Sequence, residues 1–205
     1  MSYKEAYATG IKHIQHALEW CREFEIPMLT MWGFSTDNAK RDSNEVGTLF
    51  KLFQKNLREV IESHNKNKDK LRIRFFGRIA IFPNIIREMI RRLEEATSGG
   101  QRKYQLNLML GYGGREEIVD AINNIIQSGK KNIDEKTISE SLYTKFPDPD
   151  LIIRTSGEQR LSGFMPWQSS YSELYFSKKL WPDFSKSDFV TALKDYAKRK
   201  RRYGK

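Results

Sequence analysis

Residues Pro147 to Phe184 read PDPDLIIRTSGEQRLSGFMPWQSSYSELYFSKKLWPDF. Within this stretch, Asp150-Leu151-Ile152-Ile153-Arg154 sets three apolar residues between charges, which is too short for a helix and reads as a buried strand. The strand runs directly into Thr155-Ser156-Gly157-Glu158-Gln159-Arg160-Leu161-Ser162-Gly163, a polar loop with two glycines. Arginines and hydroxyls on a permissive backbone are the parts of an oxyanion receptor: guanidinium offers a rigid fork of donors, and glycine lets backbone N–H groups approach a ligand. The same residues also read as a solvated surface loop with ordinary arginines, and composition alone leans to that plainer reading.

Upstream, the strand–loop–helix rhythm repeats. Ser2 to Phe24 has helical character, with Ile11, Ile14, Leu18 and Cys21 on one stripe and Pro27 closing the segment. His13 and His16 lie three apart on it and are read as surface or packing residues. Met28 to Trp32 reads as a buried strand that empties into Gly33–Arg41, and such strand ends are where open α/β sheets hold ligands. Asp42 followed by Glu45 marks a capped helix start, with Val46, Leu49, Phe50, Phe53, Leu57, Val60 and Ile61 forming the apolar face. His64 to Lys70 reads as a charged connector and Leu71 to Phe76 as a strand. A helix from Asn84 to Thr97 turns Ile85, Ile86, Met89, Ile90 and Leu93 inward, and Ser98-Gly99-Gly100 stops it. Tyr104 to Leu110 is another strand, leading into Gly111-Tyr112-Gly113-Gly114-Arg115; this turn fails the G-x-G-x-x-G dinucleotide pattern. Asp134 to Phe146 reads as a short helix, Glu173 to Phe176 as a last strand and Asp183 to Tyr203 as a final helix with a basic end. Alternation of this kind predicts an α/β fold with a largely parallel central sheet flanked by helices.

The chain has 205 residues, enough for one domain with a sizeable core. A net charge of +10 asks for an anionic partner, and phosphorylated small molecules, anionic lipid and nucleic acid all qualify. The single cysteine, Cys21, rules out an intrachain disulfide and fits a cytoplasmic setting. No run of about 18 apolar residues exists to span a membrane, and the N-terminus carries no apolar signal core.

The stretch from Asp150 to Phe176, with Leu180 to Phe184 after it, resembles the C-terminal signature of the cis-prenyltransferases, the family of undecaprenyl diphosphate synthases. That pattern is approximately D-L-x-I-R-T-S/G-G-E-x-R-x-S-x-F-x-x-W-Q-x-x-Y-x-E-x-x-F, then L-W-P-D-F. Phe34-Ser35-Thr36-Asp37-Asn38 is similar to the family's F-S-x-E-N, with Asp37 for Glu, Ala39 for the usual Trp, and Arg41 kept. Gly111 to Ile118 resembles N-Y-G-G-R-x-E-I with Gly111 for Asn, and is expected to serve packing and the active-site floor. Arg199 to Gly204 matches the family's R-x-R-R-F/Y-G ending, and Ala6 to Gly10 keeps G-H-x-x-G weakly.

The resemblance implies a single α/β domain over residues 1–205, with a hydrophobic tunnel for the growing isoprenoid, lined in part by the helix beginning near Asp42. It implies condensation of isopentenyl diphosphate with an allylic diphosphate to a Z-polyprenyl diphosphate, with Mg2+ as cofactor. Arg154, Arg160, Leu161 and Ser162 would hold isopentenyl diphosphate. Ser35, Thr36, Asp37 and Arg41 would flank the reacting diphosphate, Asn38 would act in catalysis, and Glu173 would be a metal ligand. A homodimer in the cytoplasm, with peripheral contact to membrane lipid and no nucleic-acid partner, goes with this. The family's D-G-N-x-R loop is absent from the sequence, so the expectation is an enzyme seen without its first segment; the alternatives are an accessory subunit and a basic nucleic-acid or membrane-binding domain.

Overall fold

The computed structural model describes residues 3–67, 71–100 and 102–200. The chain divides into two compact units, residues 1–112 and 113–205. Among the described residues all strand pairing is parallel, as expected, and falls into a three-stranded and a two-stranded sheet.

The first unit runs α1 (Tyr3–Glu23), β1 (Met28–Ser35), a short turn of 3-10 helix (Asn38–Lys40), α2 (Ser43–Asn67), β2 (Leu71–Phe76), α3 (Asn84–Ala96) and β3 (Tyr104–Tyr112). The strand order is β1-β3-β2, so β3 is central. Leu71, Ile73 and Phe75 alternate inward from β2 and meet Phe34, Leu49, Leu57, Phe82, Ile86, Ile90, Leu93, Leu106 and Leu110 in one core. Phe34 stacks edge-on against Phe53 and Phe82. Of the apolar face expected of α2, Leu49 and Leu57 are buried in this core, while Val46, Phe50, Phe53, Val60 and Ile61 are partly buried against it.

Several boundaries differ from the sequence reading. β1 continues past Trp32 to Ser35, because Phe34 is needed in the core and pairs with Leu110. The pairing shifts register between Trp32 and Phe34, where a Cβ on Gly33 would come within 3.0 Å of the Leu110 side chain. α2 runs to Asn67, so the connector read from His64 is half helix. Ile85 is not inward but 52% exposed, since Ile86, Ile90 and Leu93 already fill the inner face at helical spacing.

The outer edge of β2 is covered by side chains of α3 and its C-cap residue, Thr97. Thr97 Oγ1 accepts from the Ile73 amide (3.2 Å) and Glu94 Oε1 from the Phe75 amide (3.0 Å), so two edge donors find partners. Gly77 and Gly111, at the ends of β2 and β3, both have positive φ (125° and 59°), and Arg78 N donates to Gly111 O. The left-handed backbone at 111 suits glycine, which has no Cβ to clash.

The second unit runs α4 (Gly114–Gln127), α5 (Glu135–Ser141), β4 (Leu151–Arg154), β5 (Glu173–Phe176) and α6 (Lys186–Lys198). α5 is shorter than the helix read over Asp134–Phe146. Asp134 caps it, accepting from Thr137 N, and the chain turns extended at Leu142. α6 begins only after Ser185, which forms a reciprocal capping box with Asp188; residues 181–183 make a separate 3-10 turn. The basic end from residue 201 lies outside the described residues.

Candidate active site

β4 delivers Arg154 to the start of the polar loop. Arg154 Nη1 donates to Ser162 Oγ at 2.8 Å and to the carbonyl of Arg160. The loop is tied to the end of β5: Ser177 N donates to Arg154 O (2.8 Å), Gly157 N to Ser177 O (2.8 Å) and Ser156 N to Lys179 O (2.6 Å). Ser156, Gly157, Ser162, Gly163 and Met165 all have φ between 48° and 84°. Three of these five are not glycine, so the loop holds backbone strain that its surroundings must maintain. Arg160 reaches the surface and pairs with Glu158. The expected trio of Arg154, Arg160 and Ser162 is thus brought together, with Leu161 half-buried between them.

In the first unit, Ser35 and Asn38 close the turn after β1 by a reciprocal exchange. Ser35 N donates to Asn38 Oδ1 (2.9 Å) and Asn38 N to Ser35 Oγ (3.0 Å). Asn38 therefore has a turn-forming role of its own. Its amide oxygen is engaged, which leaves the Nδ2 donor as the chemistry it can turn outward. Thr36 N donates to Tyr112 O. Asp37 is exposed and paired with Lys40 (2.8 Å). Arg41 Nη1 donates to Glu45 Oε1 (2.7 Å) and Tyr7 OH (3.3 Å). The Tyr7 hydroxyl has its pKa raised by burial and by the Glu45 carboxylate beside it. Glu45 thus serves Arg41 rather than completing a box with Asp42, which caps α2 by itself through Asn44 N (2.9 Å).

Glu173, the expected metal ligand, starts β5 and accepts from Arg199 Nη1 at 2.7 Å; Arg199 also grips Asp195. Arg199 in turn has its pKa raised by its hydrogen bonds to Glu173 and Asp195. Among the described residues no group of three or more His, Cys, Asp or Glu side chains is placed to hold a metal. One carboxylate already held by a guanidinium is not a preformed metal centre.

Behind the loop lies a cluster that the sequence reading missed. Glu117 of α4 is fully buried, and its carboxylate accepts from Thr144 N (3.1 Å), Thr144 Oγ1 (2.9 Å) and Gln168 Nε2 (3.0 Å). The signal was present: Gly114, Glu117, Ala121 and Ile125 form one buried stripe at helical spacing, and Glu117 is its only charged member. Gly114 N donates to Gly163 O (2.9 Å), so the GYGGR turn serves packing, with its first helical N–H already used.

A family model for undecaprenyl diphosphate synthase matches residues 1–204. The chain belongs to the undecaprenyl diphosphate synthase family. It is 42% identical to the tritrans,polycis-undecaprenyl-diphosphate synthase (geranylgeranyl-diphosphate specific) of Thermoplasma acidophilum, over 100% of this chain and 82% of that protein. It is 47% identical to an isoprenyl transferase of Fusobacterium nucleatum, over 95% of this chain and 84% of that one. The crystal structure of lavandulyl diphosphate synthase from Lavandula x intermedia, in complex with dimethylallyl diphosphate, superposes with a TM-score of 0.91 at 32% identity, covering 100% of this chain and 90% of that one. The family's α/β fold and its prenyltransferase class of activity hold for this chain, and an enzyme is favoured over an accessory subunit. The chain spans a little over four fifths of the length of these two relatives, 82% and 84%. Prenyltransferases of this class act on isopentenyl and allylic diphosphates and generally use a divalent metal. Among the described residues, no helix is long and apolar enough to cross a membrane.

Proposed function

We propose that the chain is a cis-prenyltransferase that extends an allylic diphosphate with isopentenyl diphosphate, and that the loop after β4 takes the isopentenyl diphosphate. The observation that carries this reading is the Arg154–Ser162 contact, which fixes one guanidinium beside a hydroxyl and a left-handed backbone at a strand end. Arg154 and Ser162 offer preset donors, and Arg160 adds charge once it exchanges Glu158 for phosphate oxygens. That exchange is cheap, since an exposed ion pair is worth at most about 1 kcal/mol.

In the reaction the allylic C–O bond breaks and diphosphate leaves with the bonding pair. The terminal alkene carbon of isopentenyl diphosphate forms the new C–C bond, and a proton is lost to give the Z double bond. The developing diphosphate charge calls for preorganised donors, and Ser35, Thr36, Arg41 and the Asn38 amide are the groups assigned to it in the first unit. Asn38 acts there as a donor that orients, because its oxygen is held by Ser35 N. Asp37 stands beside them at the surface, paired with Lys40. The partly buried face of α2, with Val46, Phe50 and Phe53, is assigned to the isoprenoid tunnel.

Mg2+ is the proposed divalent ion; it would come with the substrate diphosphates, and Glu173 would be the carboxylate to hold it once released from Arg199. A homodimer working as a single domain per chain in the cytoplasm, with peripheral contact to membrane lipid, completes the reading. The test is incorporation of radiolabelled isopentenyl diphosphate with farnesyl or geranylgeranyl diphosphate and Mg2+. Arg154→Ala raises the KM for isopentenyl diphosphate by roughly 10- to 100-fold, the worth of lost hydrogen bonds to a charged group. Incorporation that survives both Arg154→Ala and Arg160→Ala with unchanged KM would refute the assignment.

A further inference from the structure

The mechanism leaves unused the buried polar cluster beneath the loop. Its members come from three separate places: Glu117 from α4, Thr144 from the segment after α5, and Gln168 from the segment before β5. Glu117 is 0%, Gln168 3% and Thr144 4% exposed. A carboxylate buried so completely is costly unless its oxygens are met by donors, and here three donors meet it. Gln168 is the bridge: its Nε2 donates both to Glu117 Oε2 and to Thr144 Oγ1, while its own Oε1 has no hydrogen-bond partner. A buried amide oxygen left without a partner is a cost that is tolerated in exchange for the position of the other end.

That position is six residues from Ser162. Between them the chain passes through Ser162, Gly163 and Met165, all left-handed, with Met165 fully buried and its carbonyl accepting from Ser169 N (2.9 Å). Two tethers from α4 bracket this strained run: Gly114 N on Gly163 O at one end, and Glu117 on Gln168 at the other. A backbone of this kind persists only where its surroundings over-determine it.

We infer that Gln168 is a positioning residue for the diphosphate-binding loop, acting through Glu117 and Thr144 to set where Ser162, and so Arg154, stands. Gln168 itself contacts neither substrate. This inference rests on the assignment of isopentenyl diphosphate to the loop. It predicts an effect on the handling of that substrate, separable from overall folding and from the allylic substrate.

The experiment measures kcat and both KM values, with thermal unfolding alongside, for the wild type, Gln168→Met, Gln168→Glu and the exchanged pair Glu117→Gln/Gln168→Glu. Gln168→Met keeps the volume and removes the donor; it is expected to fold and to raise the KM for isopentenyl diphosphate roughly tenfold, the cost of an unmet buried carboxylate hydrogen bond. Its kcat and allylic KM stay within about twofold of wild type. Gln168→Glu sets two carboxylates against each other and is expected to do more damage. The exchanged pair restores one donor facing one carboxylate and is expected to return the KM to within about threefold of wild type. A folded Gln168→Met with unchanged KM for isopentenyl diphosphate overturns the inference, as does a change shared equally by both substrates. If neither single variant folds, the exchanged pair decides: wild-type KM supports the inference and a raised KM overturns it. Failure of the wild-type enzyme itself to saturate with isopentenyl diphosphate would instead strike the assignment of the loop.

Discussion

Gly114→Ala is the smallest change that should unseat the loop. Its φ is ordinary, so the backbone conformation suits alanine and the whole effect is steric. An added Cβ would lie against the Cδ of Pro166 well inside contact distance, and 2.6 Å from the carbonyl oxygen of Gly163. Neither is the tip of a flexible side chain. Relieving the carbonyl contact alone asks for a retreat of roughly 0.7 Å to reach an ordinary C···O separation. That movement draws Gly163 O away from Gly114 N, now 2.9 Å distant, and loses one of the two α4 tethers. Overpacking of this kind costs about 1–3 kcal/mol, and a rigid proline on one side with backbone on the other places this site at the upper end. For a chain of this length about 3 kcal/mol is a fall in unfolding midpoint of roughly 6–12 °C. Because Ser162 adjoins Gly163, the variant should also raise the KM for isopentenyl diphosphate. Thermal unfolding by circular dichroism and steady-state incorporation of the labelled substrate read the two effects. A Gly114→Ala protein that unfolds at the wild-type midpoint with the wild-type KM would refute the steric reasoning.

Gly47 offers the opposite case: it sits within α2 with nothing within 4 Å of an added Cβ, so Gly47→Ala should stabilise by about 0.5–1 kcal/mol, read as a higher urea midpoint. Thr97→Val keeps the shape but removes the acceptor for the Ile73 amide, and should cost about 1–3 kcal/mol with faster hydrogen exchange at Ile73. Glu158→Gln releases Arg160 from its pair and should lower the KM for isopentenyl diphosphate by roughly two- to fivefold, an effect that shrinks in high salt. Burial pushes the Cys21 thiol up to about 11, from 9.0. The folded chain therefore keeps a proton that the unfolded chain loses: this stability is fully present below pH 9 and falls away by roughly 2–3 kcal/mol as pH rises to 11. Unfolding midpoints across that range should decline more steeply for the wild type than for Cys21→Ala.

The strands and helices were legible because each carries its own period. β2 alternates inward and outward, α3 repeats Ile86, Ile90 and Leu93, and the short apolar run before Arg154 admits no helix. What misled the reading was local. Gly33 looked like the end of a strand, yet β1 bulges there and continues, because the core needs Phe34. Ile85 and Ile86 are adjacent, so only one could face inward, and composition could not choose. Ser185 and Asp188 spelled out a helix start that was placed too early. At the site, Arg154, Arg160 and Ser162 were legible as one loop. Arg199 on Glu173 was not, since 26 residues separate them and no local rule joins them. Glu117 was legible in principle, as a charge on a buried stripe, but its partners Thr144 and Gln168 come from distant segments that only the fold brings together.

The residues assigned to diphosphate share a condition that composition hides. A net charge of +10 suggests a surface of unpaired cations, yet Arg41 is held by Glu45 and Arg160 by Glu158. Binding an anion at such a place exchanges one partner for another, so its gain is the difference between two charge pairs rather than the whole of one. The contacts that involve no carboxylate work differently. Ser35 with Asn38, and Ser162 with Arg154, set donor directions through hydrogen bonds a few residues long, and those directions stand before any ligand arrives. An enzyme that must bind a diphosphate, stabilise its departure and then release it gains from this division. Fixed dipoles favour the charge as it develops without reorganising, while exchangeable ion pairs keep the charged product from being held too tightly to leave.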